Sequence, residues 1–118
     1  MENYLIANGY NYDGTTTGNK IAKALAAATS WTPSSITGVV GNTDYPAKRN
    51  ATGFTALPGG YRYNSGTFAD VGNDSDWWSA TEFGATSAWH RGMSYASSNV
   101  FRNIYYKEYG FSVRCLMD

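Results

Sequence analysis

Two adjacent tryptophans, Trp77 and Trp78, constrain the fold of this chain more than any other feature. They lie in the stretch Asp76–Glu82, which is flanked by Gly-, Asn- and Asp-rich segments that favour turns. Neighbouring side chains on a β-strand point to opposite faces of the sheet, so each tryptophan can anchor a different side. Buried aromatic residues contribute large apolar areas, and the pair is therefore predicted to fix the core of the C-terminal half. A binding platform built on these rings is the alternative interpretation.

Other segments of the C-terminal half have the alternation that is typical of strands. They are residues 61–63 and 67–69, joined by an Asn-Ser-Gly turn into a predicted hairpin, and then 88–96, 99–107 and 111–117. Both faces of 99–107 carry aromatic residues, so one set is expected to be exposed. The last segment has one apolar face, in which Cys115 is predicted to be a small buried hydrophobic residue.

Helical patterns precede the strands. Residues 2–8 form a short pattern with Tyr4, Leu5 and Ile6 predicted to face inward, and 17–28 is predicted to be the main helix. Lys20 and Lys23 are expected on its solvent side.

Residues 29–52 show neither helical nor strand periodicity in their apolar residues, and they are predicted to form a long packed loop. Its expected apolar anchors are Trp31, Ile36, Val39 and Val40. Because the helical patterns precede the strands in the chain, the sequence predicts an α+β fold. Two N-terminal helices are expected to pack on a small, mainly antiparallel twisted sheet with long loops. We expect residues 1–118 to form one domain.

Charge and composition argue against several functions. Nine basic and nine acidic residues leave no net charge and form no basic stripe, so a nucleic-acid partner is not expected. No apolar run approaches the roughly 18 residues of a membrane span, and membrane insertion by this domain is not expected. The ten tyrosines, with many Ser, Gly and Asn residues, are typical of recognition surfaces.

Groups that could support catalysis or bind a metal are sparse. The single histidine, His90, is interpreted as a surface residue, and no nucleophile motif accompanies it. Glu82 is expected to bond the backbone or an arginine. Asp70, Asn73, Asp74 and Asp76 come closest to a calcium site, but turn-forming roles explain them better. The sequence therefore predicts no catalytic residue, no metal site and no cofactor.

Four motifs resemble those of the Fibrobacter succinogenes major paralogous domain, in the same order and spacing. They are Leu57-Pro58-Gly59-Gly60-Tyr61-Arg62, Trp77-Trp78-Ser79-Ala80-Thr81-Glu82, Ala88-Trp89 and Gly110-Phe111-Ser112-Val113-Arg114-Cys115. The resemblance implies a C-type-lectin-like fold and a place in secreted or surface-anchored proteins of Bacteroidetes-type bacteria. The family usually begins with a strand and a Pro-Ser-Asp-Ala-Glu-Trp helix start, which would precede Glu2, and this domain is expected to lack that strand.

Some members of this family resemble the variable proteins of diversity-generating retroelements, in which adenines of Asn codons are randomised. The resemblance indicates a set of interchangeable positions. The amino acid at each of them can be encoded by an AAC codon after changes at its two adenines. That set is Tyr63, Ala69, Asp70, Asn73, Asp74, Asp76, Phe83, Gly84, Ser87, His90, Gly92, Ser94, Ala96, Phe101, Asn103, Ile104, Tyr105, Tyr106 and Tyr109. Trp77, Trp78, Trp89, Arg91, Arg102 and Arg114 are expected to be the fixed frame.

The leading functional prediction is a ligand-binding display domain that presents a variable, Tyr-rich face to a protein or cell-surface target. The predicted ligand-binding residues are Tyr63, Asp70, Asp74, Asp76, Phe83, Ser87, His90, Gly92, Ser94, Ala96, Phe101, Asn103, Tyr105 and Tyr106. Calcium-independent carbohydrate binding is the alternative, and an enzyme ranks third. The expected location is extracellular, on the cell surface or on a phage particle, directed by a signal elsewhere in a parent protein.

Overall fold

A three-stranded antiparallel sheet forms the centre of the structure, a computed structural model that describes residues 1–115. Its strands are β3 (Asp74–Glu82), β4 (Ser87–Ser94) and β5 (Phe101–Tyr106), in that spatial order. A separate hairpin pairs β1 (Tyr61–Arg62) with β2 (Phe68–Ala69). The helical elements are α1 (Glu2–Ala7), α2 (Ala22–Leu25) and a 3₁₀ turn at Pro46–Lys48. The structure is thus mostly β with few helices, consistent with the predicted α+β class.

The two tryptophans lie on opposite faces of the sheet. Trp77 pairs with Arg91 and packs on the hydrophobic core, whereas Trp78 pairs with His90 on the other face. Beyond Trp78 the register shifts, and the Ser79 hydroxyl donates a 2.9 Å hydrogen bond to the Trp89 carbonyl oxygen. This irregularity lies at the exposed end of β3 and leaves the pairing of the tryptophans intact.

The core lies beneath one face of the sheet and is assembled from distant parts of the chain. Its buried members are Leu5, Ile21, Ala22, Leu25, Ala26, Val40, Ala56, Met93 and Val100. Trp31 and Phe54 cover its edge, and the Trp31 indole N–H donates to the Ala56 carbonyl oxygen. Both α1 and α2 contribute to this core, so the α-helices of residues 1–115 lie on its side of the sheet and Trp78 lies on the other side.

The predicted pair of N-terminal helices is not evident at the expected size. Helical backbone covers six residues in α1 and a single turn of four residues in α2, instead of 17–28. The segment before α2 is instead bent around Asn11, whose buried side-chain amide donates to carbonyl oxygens of Thr15, Thr17 and Gly18. In α1 Leu5 is buried, but Tyr4 is exposed rather than turned inward.

Lys23 is buried, which contradicts its predicted place on the solvent side of a helix. Its Nζ lies 2.5 Å from the Asn42 carbonyl oxygen and 2.6 Å from Asp44 Oδ1. The ammonium thus ties the long loop 29–52 to the core. Among the predicted loop anchors Val39 and Val40 are buried and Trp31 is partly so, whereas Ile36 is exposed.

The predicted last strand does not form over residues 111–115. Instead, Gly110 bridges Arg62 and Ser112 bridges Trp77, so the segment joins the hairpin to β3. Val113 and Cys115 are exposed, and the prediction of a buried Cys115 is wrong because the segment makes single bridges at Gly110 and Ser112 instead of a strand with one buried face. Met117, which was assigned to the same apolar face, lies outside the described residues.

Candidate ligand-binding site

Strand alternation and register bring many of the predicted binding residues to one surface, the sheet face opposite the core. Antiparallel partners share a face, and Asp76 is opposite Gly92, which in turn is opposite Phe101. The predicted residues on this outer face are Asp74, Asp76, His90, Gly92, Ser94, Phe101, Asn103 and Tyr105. The core-side face carries Trp77, Trp89, Arg91 and Met93 at the intervening positions.

A pocket of about 170 Å³ opens in this outer face. Its lining residues are Tyr61, Asp74, Asp76, His90, Phe101, Asn103, Tyr105 and Phe111. Asp76 and His90 are buried and form its floor, while Asn103 and Tyr105 are exposed at its rim. The pocket is therefore walled by aromatic rings over a polar, partly acidic floor.

Phe111 is the centre of the aromatic cluster that shapes the pocket. Its ring centroid lies 4.5 Å from that of Trp78, 4.8 Å from that of His90 and 5.5 Å from that of Tyr105. Tyr61 also contacts Phe111 edge-on. Backbone hydrogen bonds fix Phe111, because Ser112 donates to the Asp76 carbonyl oxygen and accepts from the Trp78 N–H.

His90 is 3% exposed, so its interpretation as a surface residue is wrong. Rings of Trp78, Phe101, Tyr105 and Phe111 surround the imidazole and exclude water from it. Its Nδ1 lies 3.1 Å from Asp76 Oδ1, an ion-pair distance at which the hydrogen-bond geometry is not met. Within residues 1–115 neither ring nitrogen has a hydrogen-bond partner.

Gly92 leaves the space that Phe101 and Asp76 occupy. An added Cβ would lie less than 3.0 Å from the Phe101 ring and 2.6 Å from Asp76 Oδ1, closer than real Cβ atoms come. The glycine therefore lets the Phe101 ring lie over the strand and reach His90, at a centroid separation of 5.9 Å.

The electrostatics of the pocket are set by carboxylates and phenols. Burial raises the pKa of Asp74, a hydrogen bond with Ser94 lowers it, and the charges of Asp70 and Asp76 raise it again. The net shift is upward. A hydrogen bond with Tyr63 raises the pKa of Tyr61, and burial and Asp70 add to the effect. Asp70 and Asp76 are thus close enough for their negative charges to act on Asp74.

The remaining predicted residues lie at the margins or elsewhere. Tyr63 extends the aromatic cluster, because its ring centroid lies 5.1 Å from that of Tyr61 and 5.7 Å from that of Tyr109. Phe83, Ser87 and Tyr106 line a second depression, of about 280 Å³, with Ile104, Tyr105 and Tyr109. Ala96 follows β4 in a half-buried turn and lines neither pocket.

Three residues of the outer face were not among the predicted ligand-binding positions. Trp78 was assigned to the frame and Phe111 to an apolar strand face, and Tyr61 was assigned to a hairpin. The alternation of Trp77 and Trp78 could have placed Trp78 beside His90, but Phe111 reaches the site through a long-range bridge that no local pattern indicates.

Other predicted frame residues support the opposite face. The Arg102 guanidinium lies 3.6 Å from the centroid of the Trp89 ring, and that of Arg114 lies 4.0 Å from the Phe54 ring. Glu82 accepts from Lys107 at 2.6 Å rather than from an arginine.

No group of three or more His, Cys, Asp or Glu side chains in residues 1–115 is arranged to hold a metal ion. In the same residues no helix combines the length and the apolar character needed to cross a membrane.

The family model described as Fibrobacter succinogenes major domain matches residues 1–117. The chain therefore belongs to this family, as its motifs indicated. No curated protein and no solved structure matches it.

Proposed function

We propose that this member of the family is a ligand-binding display domain with a C-type-lectin-like scaffold, whose outer sheet face contacts a protein or a cell-surface target. The observation that supports the proposal most strongly is the convergence of predicted interchangeable residues from β3, β4 and β5 on that one face. The alternate positions, such as Trp77 and Met93, face the core and hold the strands in place.

The composition of the outer face suits recognition. Tyrosine and phenylalanine rings provide large contact areas at a low cost in side-chain entropy, and aromatic residues are frequent hot spots of binding energy. Phe101 and Tyr105 stand beside the exposed Asn103, so rigid apolar contacts and adaptable hydrogen bonds are available together. A strand-borne site also holds these groups more rigidly than a free loop would.

The positions on this face differ in how freely they can vary. Asn103 is exposed and can change without disturbing packing, whereas Tyr105 at the rim packs against His90 and Phe111. Gly92 and His90 are buried among neighbours, so changes there require compensation at Phe101 or Asp76. We therefore propose that sequence variation by a diversity-generating retroelement is tolerated most at the rim of the pocket. At the floor, a substitution at one position requires a compensating substitution at a neighbouring one. An extracellular, cell-surface or phage location belongs to the same proposal.

A display library tests the proposal. One library randomises Phe101, Asn103 and Tyr105 on the outer face, and a matched library randomises Trp77, Arg91 and Met93 on the core-side face of the same sheet. We expect most members of the first library to fold and to yield binders against unrelated proteins, and most members of the second to unfold. Loss of folding to the same extent in both libraries would refute the display function.

The neighbouring DNA tests the retroelement component separately. We expect a reverse transcriptase gene and a near-copy of the last third of the coding sequence, with Asn codons at the interchangeable positions. Their absence would remove hypervariation from the proposal and leave ligand binding in place.

Carbohydrate binding is the second candidate. It is favoured by the ring-walled pocket, in which Asn103 and two carboxylates could hydrogen-bond sugar hydroxyls beside the rings. A glycan array separates the two candidates, since specific binding to a defined sugar would favour this function over protein display.

A further inference from the structure

We propose that the outer-face pocket accepts the side-chain ammonium group of a lysine on a protein partner. The inference rests on the proposed display function and names the chemistry of the ligand. Four features of the described chain carry it: carboxylates that no lysine or arginine of residues 1–115 neutralises, the aromatic walls, a buried imidazole without a hydrogen-bond partner in the same residues, and the size of the cavity.

Within residues 1–115, no lysine or arginine pairs with Asp74 or Asp76 of the pocket or with the neighbouring Asp70. Ion pairs of residues 1–115 join other acidic residues to Lys or Arg, but none of them involves Asp70 or Asp74. Among the described residues, His90 is the one group within ion-pair distance of Asp76. Asp74 has a hydrogen bond with Ser94 but no cationic partner in this part of the chain. Buried or half-buried carboxylates without a cationic partner are unfavourable, and a cationic ligand would supply the missing charge.

The walls suit the same ligand. Tyr61, Phe101, Tyr105 and Phe111 present aromatic rings to the cavity, and ring faces attract cations, most strongly where water is excluded. The butyl stem of lysine would lie against these rings while its ammonium group reaches the carboxylates. A cavity of about 170 Å³ holds such a side chain but not a folded polypeptide segment.

The imidazole of His90 is an independent sign of a missing ligand. It is 3% exposed, it lines the pocket, and neither ring nitrogen has a hydrogen-bond partner in the described chain. Buried polar groups almost always have partners. A neutral imidazole has one nitrogen that accepts a hydrogen bond, and an ammonium N–H reaching the floor after a small shift of the rings would satisfy it.

Nuclear magnetic resonance titration of the isotope-labelled domain tests the inference. The probe is N-acetyl-lysine-N-methylamide, and the matched control is the norleucine analogue, which has a butyl side chain without the ammonium group. We expect saturable shifts at His90, Phe101 and Tyr105, with an affinity at least about tenfold higher for the lysine probe. Asp76→Asn and Asp74→Asn should each weaken binding, whereas Glu82→Gln, on the same strand but outside the pocket, should not.

Equal affinities for the two probes, shifts spread over other surface carboxylates, or unchanged affinity in both Asp variants would overturn the inference. Tighter binding of glucosamine than of the lysine probe would overturn it in favour of a glycan ligand. Should Asp76→Asn fail to give a folded spectrum, Asp74→Asn at the half-buried position provides the same test. The titration measures lysine binding by the natural outer-face sequence, whereas the libraries measure whether that face tolerates substitution. A negative titration therefore refutes the lysine ligand and leaves the display function to be tested by the libraries.

Discussion

Replacing Gly92 by alanine tests how the outer face is packed. Gly92 lies on the central strand β4, between Asp76 on β3 and Phe101 on β5. The new Cβ would overlap the Phe101 ring and lie 2.6 Å from Asp76 Oδ1. The Phe101 ring must therefore rotate away from the strand, and its edge contact with His90 is lost.

The size of the effect follows from these contacts. Overpacking of this kind costs about 1–3 kcal/mol, which includes the lost aromatic contact of about 0.5–1.5 kcal/mol. Replacing glycine in a strand returns about 0.5–1 kcal/mol of backbone entropy. The difference lies between about 0 and 2.5 kcal/mol, and we expect Gly92→Ala to lower the free energy of unfolding by about 1 kcal/mol, the middle of that range.

Urea unfolding, followed by tryptophan fluorescence, measures this change in two backgrounds. If the Phe101 ring is the obstacle, Gly92→Ala should cost less than about 0.5 kcal/mol when Phe101 is already alanine. Ser87→Ala, at the other end of β4, serves as a control with little expected effect. The same cost in both backgrounds would refute the reasoning, because the obstacle would then be Asp76 or the backbone.

Three further predictions follow from other contacts. Lys23→Met removes the ammonium group that donates to the carbonyl oxygen of Asn42 and to the Asp44 carboxylate. The free energy of unfolding should fall by about 3 kcal/mol, and a fall of less than about 1 kcal/mol would show that this buried ammonium does not stabilise the fold. Asp74→Asn should raise the melting temperature at neutral pH, because the pKa of Asp74 is raised in the folded state and its charged form is disfavoured there. This gain should shrink as the pH falls through the raised pKa and vanish below the ordinary value, and a gain independent of pH would contradict the assignment. Cys115 is exposed and should react with a thiol reagent in the native protein as fast as in urea, whereas protection would show that it is covered.

The strands of the C-terminal half could be predicted because their signals are local. Alternation placed the strand of Trp77 and Trp78, the two strands after it and the hairpin at 61–69 within a few residues of their observed positions. Alternation also separates residues that face the core from those that face outward. Consequently, the sequence alone could place His90 and Gly92 on one face of the sheet and Trp89 and Arg91 on the other.

The features that the sequence did not predict depend on distant segments. Lys23 is buried because carbonyl oxygens of a loop about twenty residues later surround its ammonium group, and helical spacing contains no sign of that loop. His90 is buried because Phe111 reaches it from the segment that bridges the hairpin and β3. Local pattern sets the direction of a side chain, but the chain that later covers it decides its burial.

The floor of the pocket combines two groups that stability alone would not select. An imidazole and a carboxylate are buried side by side, and the imidazole has no hydrogen-bond partner among residues 1–115. An unsatisfied buried polar group costs about 1–3 kcal/mol. Apolar residues of similar volume would pack among Trp78, Phe101 and Phe111 without that cost. Departures from the rules of packing are expected at functional sites. If His90→Leu and Asp76→Leu together raise the melting temperature while abolishing binding of the lysine probe, the polar floor is retained for the ligand rather than for the fold.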